Sequence, residues 1–169
     1  MLQTKSVSPQ LLSVLVNLMD LNDLSAFRLV GGTALALQFG HRLSFDIDLI
    51  TDKNFDRNKV ITAILKIYTL QEISFVDFGF TCFIEGIKIN IFYWSFPFVG
   101  TIILQSGIRM SPPEDIVAFK LNAISDRKEQ KDFYDLYFLL KIINFSGMIK
   151  MYQEKYTSNN VKAVFTGLS

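Results

Sequence analysis

Two carboxylates two residues apart, Asp46 and Asp48, follow a glycine pair, Gly31-Gly32, in the stretches Val30-Gly31-Gly32-Thr33-Ala34-Leu35 and His41-Arg42-Leu43-Ser44-Phe45-Asp46-Ile47-Asp48-Leu49. Residues of these types could hold a phosphate beside a metal. Glycines without Cβ let backbone N–H groups approach a phosphate closely, and a helix that begins at Thr33 turns its positive end to the same anion. The Thr33 hydroxyl adds a donor. Asp46 and Asp48 project hard oxygen ligands in parallel from alternate positions of one strand, which suits Mg²⁺ or Mn²⁺ bridging to substrate phosphates. Either half alone is commonplace, since Gly-Gly makes plain turns and Asp-x-Asp is often solvated charge; the combination is rarer. Neither Gly-x-x-x-x-Gly-Lys-Ser/Thr nor Gly-x-Gly-x-x-Gly occurs, which excludes a P-loop ATPase and removes the dinucleotide fingerprint.

The elements that must position these groups are legible in the periodicity. Ser8-Pro9 opens a helix that carries Leu11, Leu12, Leu15, Leu18 and Met19 at helical spacing. Phe27 to Val30 reads as a short strand that turns at Gly31-Gly32 into a short helix stopped by Gly40. Phe45 to Ile50 alternates, with Phe45, Ile47 and Leu49 expected inward and Asp46 and Asp48 on the other face. A helix over 56–68 and strands at 73–78, 81–85 and 87–94 follow, the last two joined at Glu85-Gly86. One more short strand is expected within 101–110. Ser111-Pro112-Pro113 then opens a helix with Ile116, Val117, Lys120, Leu121 and Ile124, another covers 132–142, and two weaker helical segments end the chain. The expected class is α+β, with a sheet domain over 1–110 and a helical part over 111–169 packed on it as a single compact unit.

Composition limits the possibilities. In 169 residues, 50% are hydrophobic and 20% charged, which excludes disorder and permits a core without disulfide or metal staples. Seventeen Lys and Arg against sixteen Asp and Glu leave a net charge of +1, so a nucleic-acid partner would need a local basic patch. Cys82 is the only cysteine and His41 the only histidine, so any metal must be held by oxygen. Apolar runs fall short of the roughly 20 residues of a membrane span, and a soluble cytoplasmic protein with no membrane partner is expected. Sixteen phenylalanines are read as core.

Gly31-Gly32-Thr33-Ala34-Leu35, the pattern His41-Arg42-x-Ser44-x-Asp46-Ile47-Asp48-Leu49, the run Pro113 to Ala123 and Arg127-x3-Lys131-Asp132-Phe133-Tyr134-Asp135-Leu136 occur in that order. Over about residues 28–140 the chain thus resembles the AbiEii/AbiGii nucleotidyltransferase toxins, within the DNA polymerase β-like nucleotidyltransferase superfamily. The resemblance implies a nucleotidyltransferase-like mixed β-sheet flanked by helices. It also implies a reaction: a nucleoside triphosphate gives its nucleotidyl group to an acceptor hydroxyl, tRNA in some family members, and pyrophosphate leaves. On that basis Asp46 and Asp48 bind Mg²⁺ or Mn²⁺, and Gly31, Gly32 and Thr33 hold the phosphates. Lys120 neutralises the triphosphate, and Asp132 or Asp135 approaches the metal or the acceptor. Arg42 and Ser44 stand behind the carboxylates, and an antitoxin protein encoded nearby is the implied partner.

Spacing is compatible with these roles. Asp132 and Asp135 share a helical face, and Arg127, Lys128 and Lys131 beside them form a candidate patch for RNA phosphates. Plainer readings also exist: Lys120 as a lysine snorkelling to the surface, Asp132 as a helix cap, Arg42 as an orienting partner of Asp46 or Asp48, and His41 as a turn residue. One position departs from the superfamily, which places a third metal-binding carboxylate on a neighbouring strand where this chain has Asn90. Asn90 falls on the polar face of its strand and could complete the metal site as a neutral ligand. Either Asp132 or Asp135 then substitutes, or catalysis is impaired. Three functions follow: a nucleotidyltransferase toxin, a degenerate fold kept as a nucleotide-binding or interaction module, and a metal-dependent phosphodiesterase. Val161 to Ser169 reads as a helix just begun, so a longer native chain is expected.

Overall fold

The computed structural model describes residues 1–126, 129–157 and 161–168. Its elements run α1 (Pro9–Met19), β1 (Arg28–Leu29), α2 (Gly31–Phe39), β2 (Asp46–Thr51), α3 (Arg57–Leu65), β3 (Gln71–Val76), β4 (Gly79–Ile84), β5 (Ile87–Tyr93), β6 (Ile103–Gln105), β7 (Ile108–Met110), α4 (Pro113–Asp126), α5 (Gln130–Leu139), α6 (Phe145–Lys155) and α7 (Val161–Leu168). They form two units. Met1–Ser95 with Ile102–Met110 make the first, and Phe96–Thr101 with Ser111–Ser169 the second.

The first unit is built on one mixed sheet, ordered β3-β4-β5-β2-β1-β7-β6. β2 runs parallel to β5 and β1 parallel to β7, while the other neighbours are antiparallel. Alternation decides the faces. Ile47 and Leu49 of β2, Ile89 and Ile91 of β5, and Phe80, Cys82 and Ile84 of β4 are buried, as are Leu11, Leu15 and Leu18 of α1. Burial pushes the Cys82 thiol up to about 11, so it serves as a small apolar side chain. Ser8 caps α1 by accepting from the Leu11 N–H at 3.0 Å, with Pro9 at the first helical position. Arg109 of β7 donates to the carbonyls of Phe27, Met19 and Leu24 at 3.0–3.1 Å, and so ties the end of α1 to the sheet.

Some local expectations change. Phe45 is 69% exposed, because β2 begins only at Asp46 and its register with β5 starts at Asp46↔Lys88. The 101–110 stretch is a hairpin of two strands, turned by Ser106 (φ +52°) and Gly107 (φ +78°). That is the geometry which Glu85 (φ +52°) and Gly86 (φ +77°) supply between β4 and β5. Helix α2 starts at Gly31, two residues before Thr33.

In the second unit, α4 buries Ile116, Val117, Leu121 and Ile124 and packs against α5, α6 and α7. α7 comes close because Gly167 has no side chain, and a Cβ there would lie 2.6 Å from the Ile124 carbonyl oxygen. The segment 96–101 joins this unit through polar contacts. Asp115 accepts the N–H groups of Val99 (3.0 Å) and Gly100 (2.9 Å), and Lys155 donates to the Pro97 carbonyl at 2.8 Å and to Asp115 at 2.9 Å. Lys155 is fully buried, its ammonium 4.8 Å from the ring centroid of Phe98 and 4.6 Å from that of Phe119. The helix over 132–142 is α5 at 130–139, and Lys141 and Ile142 close it in a turn that bonds back to Phe138 and Leu139.

Candidate nucleotide and metal site

In the first unit the structure gathers the glycine turn, the carboxylate pair and Asn90. β1 hands the chain to α2 beside β2: the Val30 N–H donates to the Asp48 carbonyl at 2.9 Å, and Val30 caps the helix that Gly31 begins. The first helical amide to bond back is that of Ala34, to Val30 at 3.4 Å. The N–H groups of Gly31, Gly32 and Thr33 therefore form the positive end of α2, without partners inside the helix. Gly31 is required twice over. Its φ is +68°, and a Cβ on it would lie 2.7 Å from Asp48 Oδ2, so the carboxylate packs directly against the helix start.

Asp46 and Asp48 occupy the half-buried face of β2, with Ile47 and Leu49 buried between and after them. The register Asp48↔Asn90 places Asn90 next to Asp48, and Asn90 Nδ2 donates to Asp48 Oδ1 at 2.6 Å. The amide thus turns its donor end to the carboxylate. Thr33 is buried. Its hydroxyl donates to the Asp46 carbonyl and lies 2.8 Å from Ser44 Oγ, so what Thr33 offers an anion is its backbone amide. Ser44 is buried too and donates its N–H to Ser6 at 2.9 Å. Through Thr33 and Ser44 the start of β2 is tied to α2. Arg42 is half-exposed, its Nη1 donating to the Leu43 carbonyl at 2.9 Å.

This donor set fits Mg²⁺ or Mn²⁺. Two carboxylates project on one face beside the positive end of a helix, which suits a hard cation that takes one or two carboxylates plus phosphate oxygens.

The second unit brings Lys120 of α4 together with Asp132 and Asp135 of α5. Lys120 Nζ lies 2.7 Å from Asp132 Oδ1 and 2.6 Å from Asp135 Oδ2, and all three side chains are buried. Lys120 is therefore no snorkelling surface lysine, and Asp132 is no cap; Glu129 holds the cap position, without a side-chain bond. Lys131 is half-exposed and pairs with Glu129 at 3.2 Å, while Arg127 and Lys128 lie outside the described residues. Sequence reasoning missed the Asp115–Lys155 pair. Periodicity places Asp115 in the first turn of α4 and Lys155 in the last turn of α6, where surface charges are ordinary, and nothing local announces their burial.

Comparison with known proteins agrees with this architecture. The chain is 32% identical over 145 residues to the uncharacterized protein aq_aa25 of Aquifex aeolicus (strain VF5), covering 83% of this chain and 69% of that protein. Among solved structures it is similar to JHP933 from Helicobacter pylori, at 22% identity and a TM-score of 0.57, covering 96% of this chain and 89% of the other. The Megavirus polyadenylate synthase shares the fold at 18% identity and a TM-score of 0.55, over 76% of this chain and 31% of that one. The sequence pattern of the family described as nucleotidyl transferase AbiEii toxin, type IV toxin-antitoxin system, matches residues 13–99 and 87–167. Carrying that match over most of its length on a nucleotidyltransferase fold, the chain belongs to the AbiEii nucleotidyl transferase toxin family.

Proposed function

We propose that the protein is a Mg²⁺- or Mn²⁺-dependent nucleotidyltransferase toxin that moves a nucleoside monophosphate from a triphosphate to an acceptor hydroxyl, with RNA, tRNA among the candidates, as the acceptor. The observation that carries this reading is the packing of Asp48 against the start of α2, with Asp46 on the same face. Asp46 and Asp48 would hold the cation, which when bound would supply charge neutralisation at the triphosphate. The backbone amides of Gly31, Gly32 and Thr33 receive phosphate oxygens at the positive end of α2. Asn90 orients Asp48 through its N–H, while Thr33 and Ser44 hold the strand that carries Asp46. The acceptor oxygen forms a bond to the α-phosphorus, the bond to pyrophosphate breaks, and the acceptor proton passes to a carboxylate. Lys120, buried against Asp132 and Asp135, belongs to a separate charged cluster of the second unit.

Incubation with each labelled triphosphate, Mg²⁺ or Mn²⁺ and total RNA should put label on RNA and release pyrophosphate; label on neither RNA nor protein with any triphosphate refutes the transferase. The occupation of Asp48 by the Asn90 amide favours one alternative, a module that binds nucleotide without turnover. Metal-dependent binding with no pyrophosphate release would select it, and hydrolysis without transfer would select a phosphodiesterase. An antitoxin is the partner in keeping with the family, and a cytoplasmic location suits this chemistry. Among the described residues no helix is long and apolar enough to cross a membrane.

A further inference from the structure

The carboxylate pair of β2 has a positive helix end on one side and a lysine on the other. In the sheet order β5-β2-β1, the strand β1 and the start of α2 lie along one edge of β2, and β5 lies along the opposite edge. The register Asp46↔Lys88 and Asp48↔Asn90 runs β5 past both carboxylates. The hydrogen bond from Asn90 to Asp48 fixes the face on which they stand, and alternation puts Lys88, two residues before Asn90, on that face too. Ile87 and Ile89 on either side of it are buried, whereas Lys88 is exposed. Adjacent strands are about 4.8 Å apart, within reach of the flexible four-carbon stem of a lysine. Although Asp46 is its neighbour in register, Lys88 makes no hydrogen bond or ion pair among the described residues.

Electrostatics and the direction of transfer say what this ammonium meets. A triphosphate brings several negative charges up to two carboxylates, more than one divalent cation and one helix end can balance. Lys120, the lysine that sequence pointed to for this task, is already held by two carboxylates of the second unit. In an in-line displacement the attacking and leaving oxygens stand on opposite sides of the phosphorus. The pyrophosphate end carries most of the charge and gains more as it leaves, so it takes the amides of Gly31, Gly32 and Thr33. The α-phosphate then lies over Asp46 and Asp48, with β5 on the side away from α2. We infer that Lys88 binds a non-bridging oxygen of the α-phosphate, a contact that rests on the reading of this site as a nucleotidyltransferase. Lys88 makes and breaks no bond there. It keeps its proton and neutralises charge at the phosphorus under attack.

The test uses the full chain in Mg²⁺ and two kinds of probe, followed by isothermal titration. Pyrophosphate represents the leaving end alone, and the α,β-methylene analogues of the four ribonucleoside triphosphates carry an α-phosphate that cannot be transferred. Lys88→Gln should weaken the best-bound analogue about tenfold and leave pyrophosphate within about twofold of wild type. Lys88→Arg keeps the charge and should stay within about threefold. Lys59→Gln removes an exposed lysine of α3 as a control for charge alone and should change neither probe. Because Lys88 is exposed, its variants should melt within about 2 °C of wild type, so affinity is read on folded protein. In the wild type the bound analogue should shield Lys88 from an amine-reactive ester, mapped by mass spectrometry, and pyrophosphate should not. Equal analogue affinity in Lys88→Gln, an equal loss for pyrophosphate, a matching loss in Lys59→Gln, or labelling of Lys88 that the analogue does not slow overturns the inference and leaves the nucleotidyltransferase reading in place. A wild type that binds none of the four analogues overturns both. Lys88-dependent analogue binding in a chain that transfers no nucleotide leaves the contact standing and removes the transferase.

Discussion

Replacing Asn90 with Asp sets a second carboxylate where the Asn90 amide now donates to Asp48 Oδ1 at 2.6 Å. Two losses follow without metal. The hydrogen bond to a charged acceptor disappears, worth about 1.5 to 3 kcal/mol. Two like charges also meet, and even relaxed to about 4 Å they repel by about 4 kcal/mol at an effective dielectric of about 20. Both groups are half-buried, so solvent and the positive end of α2 take up part of this. A net destabilisation of about 3 kcal/mol is expected at pH 7.5 in EDTA, a fall in Tm of about 6 to 12 °C for a chain of this size. The sign with pH follows from linkage. One carboxylate of the pair acquires a folded-state pKa above its unfolded value of about 3.9, so the folded variant binds the extra proton in that interval. The deficit is therefore absent below the unfolded pKa, grows as pH rises through the raised folded pKa, and is then constant. Mn²⁺ or Mg²⁺ should restore most of the lost Tm and stabilise Asn90→Asp more than wild type, and transfer activity should rise. Scanning fluorimetry across pH, with EDTA or divalent cation, measures all of this. A Tm within about 2 °C of wild type in EDTA would refute the Asp48–Asn90 geometry, and a deficit that no divalent cation relieves would refute the metal reading.

Exchanging both Asp46 and Asp48 for Ala should abolish metal-dependent nucleotide binding in a chain that still folds, and isothermal titration that detects such binding would reject the assignment. Gly31→Ala forces an L side chain into φ +68° at about 1 to 2 kcal/mol and drives its Cβ into Asp48 Oδ2, so Tm should drop by several degrees and nucleotide affinity with it; an unchanged affinity would separate Asp48 from phosphate binding. Lys120→Ala leaves Asp132 and Asp135 buried without their ammonium and should cost about 3 to 5 kcal/mol in urea unfolding. A loss below about 1 kcal/mol would contradict the burial of that cluster. Lys155→Met fills the Phe98–Phe119 cage with an apolar chain, whereas Asp115→Ala orphans two backbone N–H groups and a buried ammonium; the aspartate variant should be the less stable of the two, and the reverse order in urea midpoints would contradict the role of Asp115 as the clamp on 96–101.

What the sequence determined by itself are features encoded within a few residues. Ser8-Pro9 and Asp56 start helices through side-chain and proline chemistry that acts on the next turn, and Glu85-Gly86 makes a hairpin because two positive φ values are needed there. Alternation alone put Asp46 and Asp48 on one face and Asn90 on the polar face of its own strand. Motif order carried the family. Tertiary structure decided whatever depends on distant partners. The parallel pairing of β2 with β5 sets Asn90 against Asp48, a register that no local pattern specifies. Thr33 could have been a phosphate donor until Ser44 and the Asp46 carbonyl claimed its hydroxyl. Phe45 obeys the alternation yet is exposed, because it lies just ahead of β2, whose pairing with β5 begins at Asp46. Lys120 and Lys155 look like surface cations in sequence, since a charge shows no sign of burial until carboxylates far along the chain enclose it: Asp132 and Asp135 for the one, Asp115 for the other.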